Sequence, residues 1–159
     1  MKSISIKILA LCSLAFALTM SGCKKDKENE SETLMSNIAK PNWTAPAKYD
    51  YNSSMTAIVR ISFDEQYPEL AVDYQLNEND LLAAFIDGTC VGVATPDTEK
   101  GLFFLYITGL DSDSGMVTLK YYSTHYKNLF AAKFAFEFQN NAMLGTVAEP
   151  YVPGFVVEK

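Results

Sequence analysis

The chain is poor in the residues that most chemistry uses. It has a single histidine, His125, a single arginine, Arg60, and a single tryptophan, Trp43, in 159 residues. A catalytic histidine needs an oriented partner. His125 lies in a polar stretch, and no Gly-x-Ser-x-Gly elbow occurs anywhere, so a hydrolase triad is not expected and the chain reads as non-enzymatic. Lysine and arginine total 13 against 19 acidic residues, a formal charge of -6. The clustered positive field that a phosphate backbone requires is therefore missing, which excludes nucleic acid as an expected partner. Of the three cysteines, Cys12 and Cys23 fall in the first 23 residues. Cys90 then has no intramolecular partner, and the fold must be held by apolar burial without a disulfide. No cofactor is expected. The longest apolar run, residues 8–20, is too short to span a bilayer as a permanent helix.

That run has a distinctive setting. Lys2 and Lys7 precede it and Ser21-Gly22-Cys23 follows it, the pattern of a signal peptide ending in a lipobox, in which a thiol accepts a diacylglycerol. The expectation is a lipoprotein signal peptide over 1–22, removed on export, and a membrane anchor through lipid on Cys23. Loss of Lys2 and Lys7 takes the formal charge from -6 to -8. Residues 24–32 contain no apolar side chain, so ordering them gains too little from burial to offset the entropy cost. A polar tether is expected over 23–40 and one domain over 41–159.

Within the domain the period is two. Met55, Ala57, Val59, Ile61 and Phe63 share one face of a predicted strand. Two apolar runs, 81–86 and 89–94, flank Asp87-Gly88, a type I′ turn dipeptide, and predict a hairpin. Further strands are expected over 102–108 and 116–122. In the stretch 130–138, Phe130, Ala132, Phe134, Phe136 and Phe138 alternate with Ala131, Lys133, Ala135 and Glu137, which predicts a strand with all four phenylalanines in the core. Short strands with turn signals between them and no helical period point to an all-β domain, an antiparallel β-sandwich of jelly-roll or immunoglobulin-like type. Residues 65–79 read either as a long loop or as a loop with a short strand around 70–74, and loops of that length are often functional.

Candidate site residues follow from this layout. Tyr67 and Tyr74 fall in the long loop, where a flat apolar ring with a polar tip suits a sugar or a protein partner. Asp64, Glu65, Glu69 and Asp73 cluster nearby, but glycoside hydrolysis needs two carboxyl groups opposed across a sugar, which spacing alone does not establish, and the simpler expectation is a solvated acidic loop. Asp111-x-Asp113 begins like a calcium loop, but Gly115 comes one position early and Tyr122 stands where an EF-hand needs a bidentate carboxylate. What remains is a weak calcium candidate at Asp111 and Asp113. Cys90 in its strand reads as an inert buried thiol, and Trp43 as a core plug.

The stretch from Asn79 and Asp80 through Leu81-Leu82-Ala83-Ala84-Phe85, followed by Gly88 and Val91-Gly92, resembles the Asp-x-hydrophobic-Ala-Ala-Phe…Gly hairpin of a β-sandwich module of unassigned function in exported Bacteroidota proteins. The strands at 55–57 and 102–105 fit that pattern, while this chain has Val91 where many members of the resembled module carry arginine, so no role tied to that arginine is carried over. The lysine and acidic cluster at 25–30 similarly resembles the signal that sends Bacteroidota lipoproteins to the outer face of the outer membrane. The module resemblance implies a fold and says almost nothing about activity. With the lipobox and the loop tyrosines, the expectation is a lipid-anchored, surface-exposed, non-enzymatic binding module taking a glycan or a protein. The rival reading is a structural or adhesin-type subunit of an envelope complex with no small ligand.

Overall fold

The computed structural model describes residues 36–47, 51–109 and 115–158. The expected signal peptide and the candidate residues Cys23, Asp111 and Asp113 lie outside the described residues. In chain order the elements are β1 (Ser54–Val59), β2 (Ser62–Phe63), α1 (Pro68–Asp73), β3 (Leu81–Ile86), β4 (Thr89–Ala94), β5 (Pro96–Asp97), β6 (Leu102–Thr108), β7 (Met116–Ser123), β8 (Asn128–Ala132), β9 (Phe136–Glu137), β10 (Met143–Leu144) and β11 (Gly154–Val157). Sheet A has the order β10-β1-β6-β5. Sheet B has the order β2-β11-β8-β7-β3-β4, with β9 also on β7. The two sheets pack face to face as a β-sandwich around one core that includes Val59, Leu82, Phe103, Leu119, Tyr121, Phe130 and Phe155. The single described helix is far too short to cross a membrane.

The predicted strand at 55–63 is two strands in different sheets. β1 belongs to sheet A and β2 to sheet B, and the chain bends between them at exposed Arg60. Met55, Ala57, Val59, Ile61 and Phe63 all stay buried, because a strand folding over the edge of a sandwich keeps the same face inward on both sides. The C-terminal stretch follows it in the same direction. Thr56 pairs with Met143, Ala57 with Leu144, Val59 with Tyr151 and Phe63 with Phe155, all parallel. The sheets are thus mixed, which corrects the purely antiparallel expectation. Gly145 makes the detour between β10 and Tyr151 possible: its φ is 76°, and a Cβ there would lie 2.5 Å from the Tyr151 nitrogen.

The opposite edge closes in the same way, as β4 in sheet B continues into β5 in sheet A. A Cβ on Gly92 would lie 2.5 Å from the Tyr106 carbonyl oxygen, so glycine lets β4 lie against β6. The Thr108 hydroxyl donates to the Val91 carbonyl at 3.1 Å across the same seam. The hairpin at 81–94 forms as predicted, with Asp87 and Gly88 at φ 48° and 80°. A bulge between Ala84 and Phe85 shifts its register.

The phenylalanine strand is not continuous. Lys120 pairs with Ala131, yet Val117 pairs with Phe136, so three steps along β7 are matched by five on the partner. Two residues are extruded in a bend at Lys133 and Phe134. An even insertion preserves parity: Phe130 and Phe138 are buried, Phe136 is half-buried edge-on to Tyr151, and Phe134 is 67% exposed. Phe134 is therefore not a core residue.

Ahead of β1, residues 36–47 belong to no strand and lie on the outer face of sheet B. Ser36 Oγ donates to Asn128 Oδ1 at 2.8 Å, and the Ile38 amide donates to the Lys127 carbonyl at 2.7 Å. The Tyr122 hydroxyl donates to the Ile38 carbonyl at 3.2 Å, and Trp43 meets Phe85 edge-on at 5.8 Å. Ser36 and Ile38, which composition assigns to the tether, are thus bonded to the turn between β7 and β8. Trp43 is half-buried on the outside of a sheet and does not plug the core.

Phe130→Ala is expected to cost about 3–5 kcal/mol, as for a fully buried aromatic, and Phe134→Ala under about 0.5. Urea denaturation of the two variants checks this, and equal losses would mean that the bend at Phe134 is wrongly placed.

Candidate functional site

Two places combine unusual chemistry with defined geometry: a buried tyrosine–carboxylate cluster under α1, and the outer face of sheet A. The first begins with α1. Pro68 opens the helix and Glu69 sits in its first turn, a pairing that suits the free amides and positive pole of a helix start. Residues 68–73 are thus a helix, where the sequence reads as a long loop or as a loop with a short strand around 70–74. Leu70 is its fully buried anchor, while Val72 is 83% exposed. The Tyr126 hydroxyl donates to the Leu70 carbonyl at 3.1 Å, tying the helix to the turn after β7.

Tyr67 and Tyr74 flank α1 as its N-cap and C-cap residues, and both pack partly buried against the core. The Tyr74 ring is edge-on to Phe63 at 5.3 Å and to Tyr121 at 6.3 Å, so it is part of an interior aromatic cluster. Sequence reasoning missed the centre of this cluster, Asp80, which is 0% exposed. Its Oδ2 accepts from the Tyr121 hydroxyl at 2.6 Å and from the Asn77 amide at 3.1 Å, and its Oδ1 accepts from the Thr124 amide at 2.7 Å. The Tyr74 and Tyr121 hydroxyls are 3.4 Å apart. Burial, first, and the neighbouring hydroxyl and carboxylate hold Tyr121 neutral well above the usual tyrosine range, and burial does the same for Tyr74. The readable signal for Asp80 was an acidic residue closing an Asn77-x-x-Asp80 turn, where the Asp80 amide donates to the Asn77 carbonyl, directly before an apolar run. With three donors already on its two oxygens, the carboxylate is built to organise the fold.

The remaining candidates are dispersed. Asp64 accepts from Lys133 Nζ at 2.9 Å and from the Gln66 amide at 3.1 Å. The Lys133 hydrogen bond, more than Gln66, holds its carboxyl below the usual range. Glu65 and Glu69 are exposed. His125 is exposed, with its ring edge-on to Tyr126 at 4.7 Å. Cys90 is half-buried with its thiol toward the Gly92 carbonyl, and burial pushes the thiol up, which disfavours the reactive thiolate. Among the described residues, no group of three His, Cys, Asp or Glu side chains gathers as a metal site.

The second place is set by register. In sheet A, Met55, Ala57 and Val59 face the core, so Thr56 and Ile58 lie on the other face, where Ile58 is itself buried and Tyr106 half-buried. Thr56 pairs with Met143 on one side and Tyr106 on the other, and Ile58 pairs with Phe104. Met143, Tyr106 and Phe104 therefore occupy adjoining rungs of one outer face. Met143 is 65% and Phe104 42% exposed. Lys100 Nζ lies 5.9 Å from the Phe104 ring centre and pairs with Asp97 at 2.5 Å, so the rim of this strip is charged.

Removing the carboxylate strands three donors, so Asp80→Ala is expected to cost about 3–5 kcal/mol and Tyr121→Phe about 1–2. Tyr121 also sets an alkaline limit. Its folded pKa lies above the unfolded value of about 10, so its contribution is present below pH 10 and lost as pH rises, by about 1.4 kcal/mol per pH unit. Urea titrations between pH 9 and 11 should show that slope reduced in Tyr121→Phe; identical slopes would mean that Tyr121 ionises freely in the fold.

Comparison of the chain with protein-family models, with curated proteins and with solved structures gives no match.

Proposed function

We propose that the chain is a lipid-anchored, non-catalytic binding module of the outer-membrane surface, and that its ligand is a protein held on the outer face of sheet A. The observation that carries this reading is the strip of Met143, Tyr106 and Phe104, whose register puts methionine and aromatic side chains together on a solvent-facing sheet. Such residues are enriched at the centres of protein interfaces, and an exposed apolar patch with a charged rim is the usual mark of a contact surface. The tyrosines that favoured a sugar platform, Tyr67 and Tyr74, are packed against the core. Support for a glycan ligand is correspondingly smaller. Assembly by strand addition also has less to stand on, since β2, β5 and β10 at the sheet edges have two residues each and β4 lies against β6. The lipid anchor rests on the Cys23 pattern, and the non-catalytic reading on His125 and Cys90 as described above.

Photo-crosslinking residues placed at Phe104 and Met143 in intact cells should give protein adducts, while one at His125 should not. Phe104→Asp should reduce the adduct yield from position 143 at least about ten-fold, as loss of an interface anchor would, with the urea midpoint kept. No adduct from either position would overturn the reading, and salt-insensitive calorimetric heat with a neutral glycan would replace it with sugar binding. The anchor has its own check: Cys23→Ala should abolish incorporation of labelled palmitate, and continued labelling would place the lipid elsewhere.

A further inference from the structure

On the reading that the outer face of sheet A holds a protein, we infer that the contact extends to the corner at Arg60 and that the partner presents a carboxylate there. Val59 and Ile61 both pack into the core, so Arg60 between them lies on the face that carries Thr56 and Ile58. It stands two residues beyond Ile58, about 7 Å further along the chain. Buried Ile58 floors the stretch between this corner and Phe104. The C-terminal stretch runs beside the corner in parallel. Val59 pairs with Tyr151 and Ser62 with Gly154 at the same separation in sequence, so Arg60 is level with Val152. The Arg60 amide donates to the Tyr151 carbonyl at 3.0 Å. Tyr151 packs against the core and Pro153 is buried, so Val152 turns outward, where it is 49% exposed.

Two observations set this corner apart from ordinary surface. The first is Phe134, whose place in the alternation from Phe130 to Phe138 would bury it. The two-residue extrusion turns it out instead, and the bond from the Lys133 amide to the Gly154 carbonyl at 2.8 Å holds the bend beside the stretch that carries Val152. Bulges commonly serve to re-aim a side chain in this way. The second is the balance of charge. Lys100, beside Phe104, is paired with Asp97, and Lys133, beside Phe134, is paired with Asp64. Arg60 is the single arginine of the chain, is exposed, and forms no ion pair among the described residues. A guanidinium offers a rigid fork of donors that matches a carboxylate, and arginine with aromatic residues is typical of the anchors of interfaces. The net negative charge of the chain does not cancel this locally, since the fields of exposed charges fade over about 8 Å at physiological ionic strength.

Photo-crosslinking residues at positions 104, 143 and 152 of the full chain in intact cells should all capture the same protein. With urea midpoints unchanged, Arg60→Glu should lower the yields at 104 and 152 at least about ten-fold and Arg60→Gln about five-fold, as loss of one partner of a desolvated charge pair would. Lys100→Gln, whose charge is already met by Asp97, should leave the yields within about two-fold. Adducts at 104 and 143 that persist undiminished in Arg60→Glu and Arg60→Gln would overturn the carboxylate and leave the contact on sheet A standing. Adducts at none of the three positions would remove the face and the corner together. A lipid captured in place of a protein at position 152 would assign the corner to an anionic membrane surface and overturn the carboxylate likewise.

Discussion

A carboxylate cut off from water must be given donors, and much of this fold is arranged around giving them to Asp80. Its three hydrogen bonds come from the loop before β3, from the middle of β7 and from the turn after β7. Satisfying one buried oxygen pair therefore fixes the relative positions of segments from Asn77 to Thr124. Tyr121 carries the arrangement inward, since its ring contacts Phe63, Phe103, Phe130 and Phe155 in the centre of the sandwich. The polar and apolar parts of the core are thus one structure, and a lost donor would be felt as misplacement of a large aromatic ring. α1 is tied to the same cluster through Tyr74 and through the bond from Tyr126 to Leu70.

The second constraint is edge closure. A sandwich with open flanks exposes unpaired amides and carbonyls to other chains. Here the ribbon of β1–β2 with β10–β11 turns over one edge and β4–β5 turns over the other. The edge strands β2, β5 and β10 have only two residues each, so among the described residues little edge backbone is offered to a partner beside the side chains. For a chain proposed to work at a crowded cell surface, that favours selective contact over generic strand pairing.

The sequence was legible wherever periodicity and turn chemistry agree. Asp87-Gly88 fixed the hairpin because only positive φ angles suit that turn, and the five inward positions from Met55 to Phe63 were all correctly identified as buried. Periodicity is blind to events that preserve parity. The bend between β1 and β2 and the two-residue bulge at Phe134 leave the alternation intact, so neither shows in the pattern. Parallel pairing of β1 with β10 was hidden because direction depends on where a distant segment returns. The site was less legible than the fold. Tyr67 and Tyr74 were placed by composition, which cannot separate a loop tyrosine in solvent from one folded back on Phe63. Asp80 was passed over because an acidic residue is ordinarily exposed, and its burial depends on a hydroxyl 41 positions away.

The parallel ribbon joins the first strands to the last, and this determines when the fold can form. Thr56 meets Met143 and Phe63 meets Phe155, so the first corner cannot close until nearly the whole chain is available. Contacts of such long sequence separation carry a loop-closure cost before they return any stabilisation, and folds rich in them form slowly. A chain emerging from synthesis has β1 but lacks its parallel partner. The corner between β1 and β2 can take up its parallel partner only once the C-terminal strand is available.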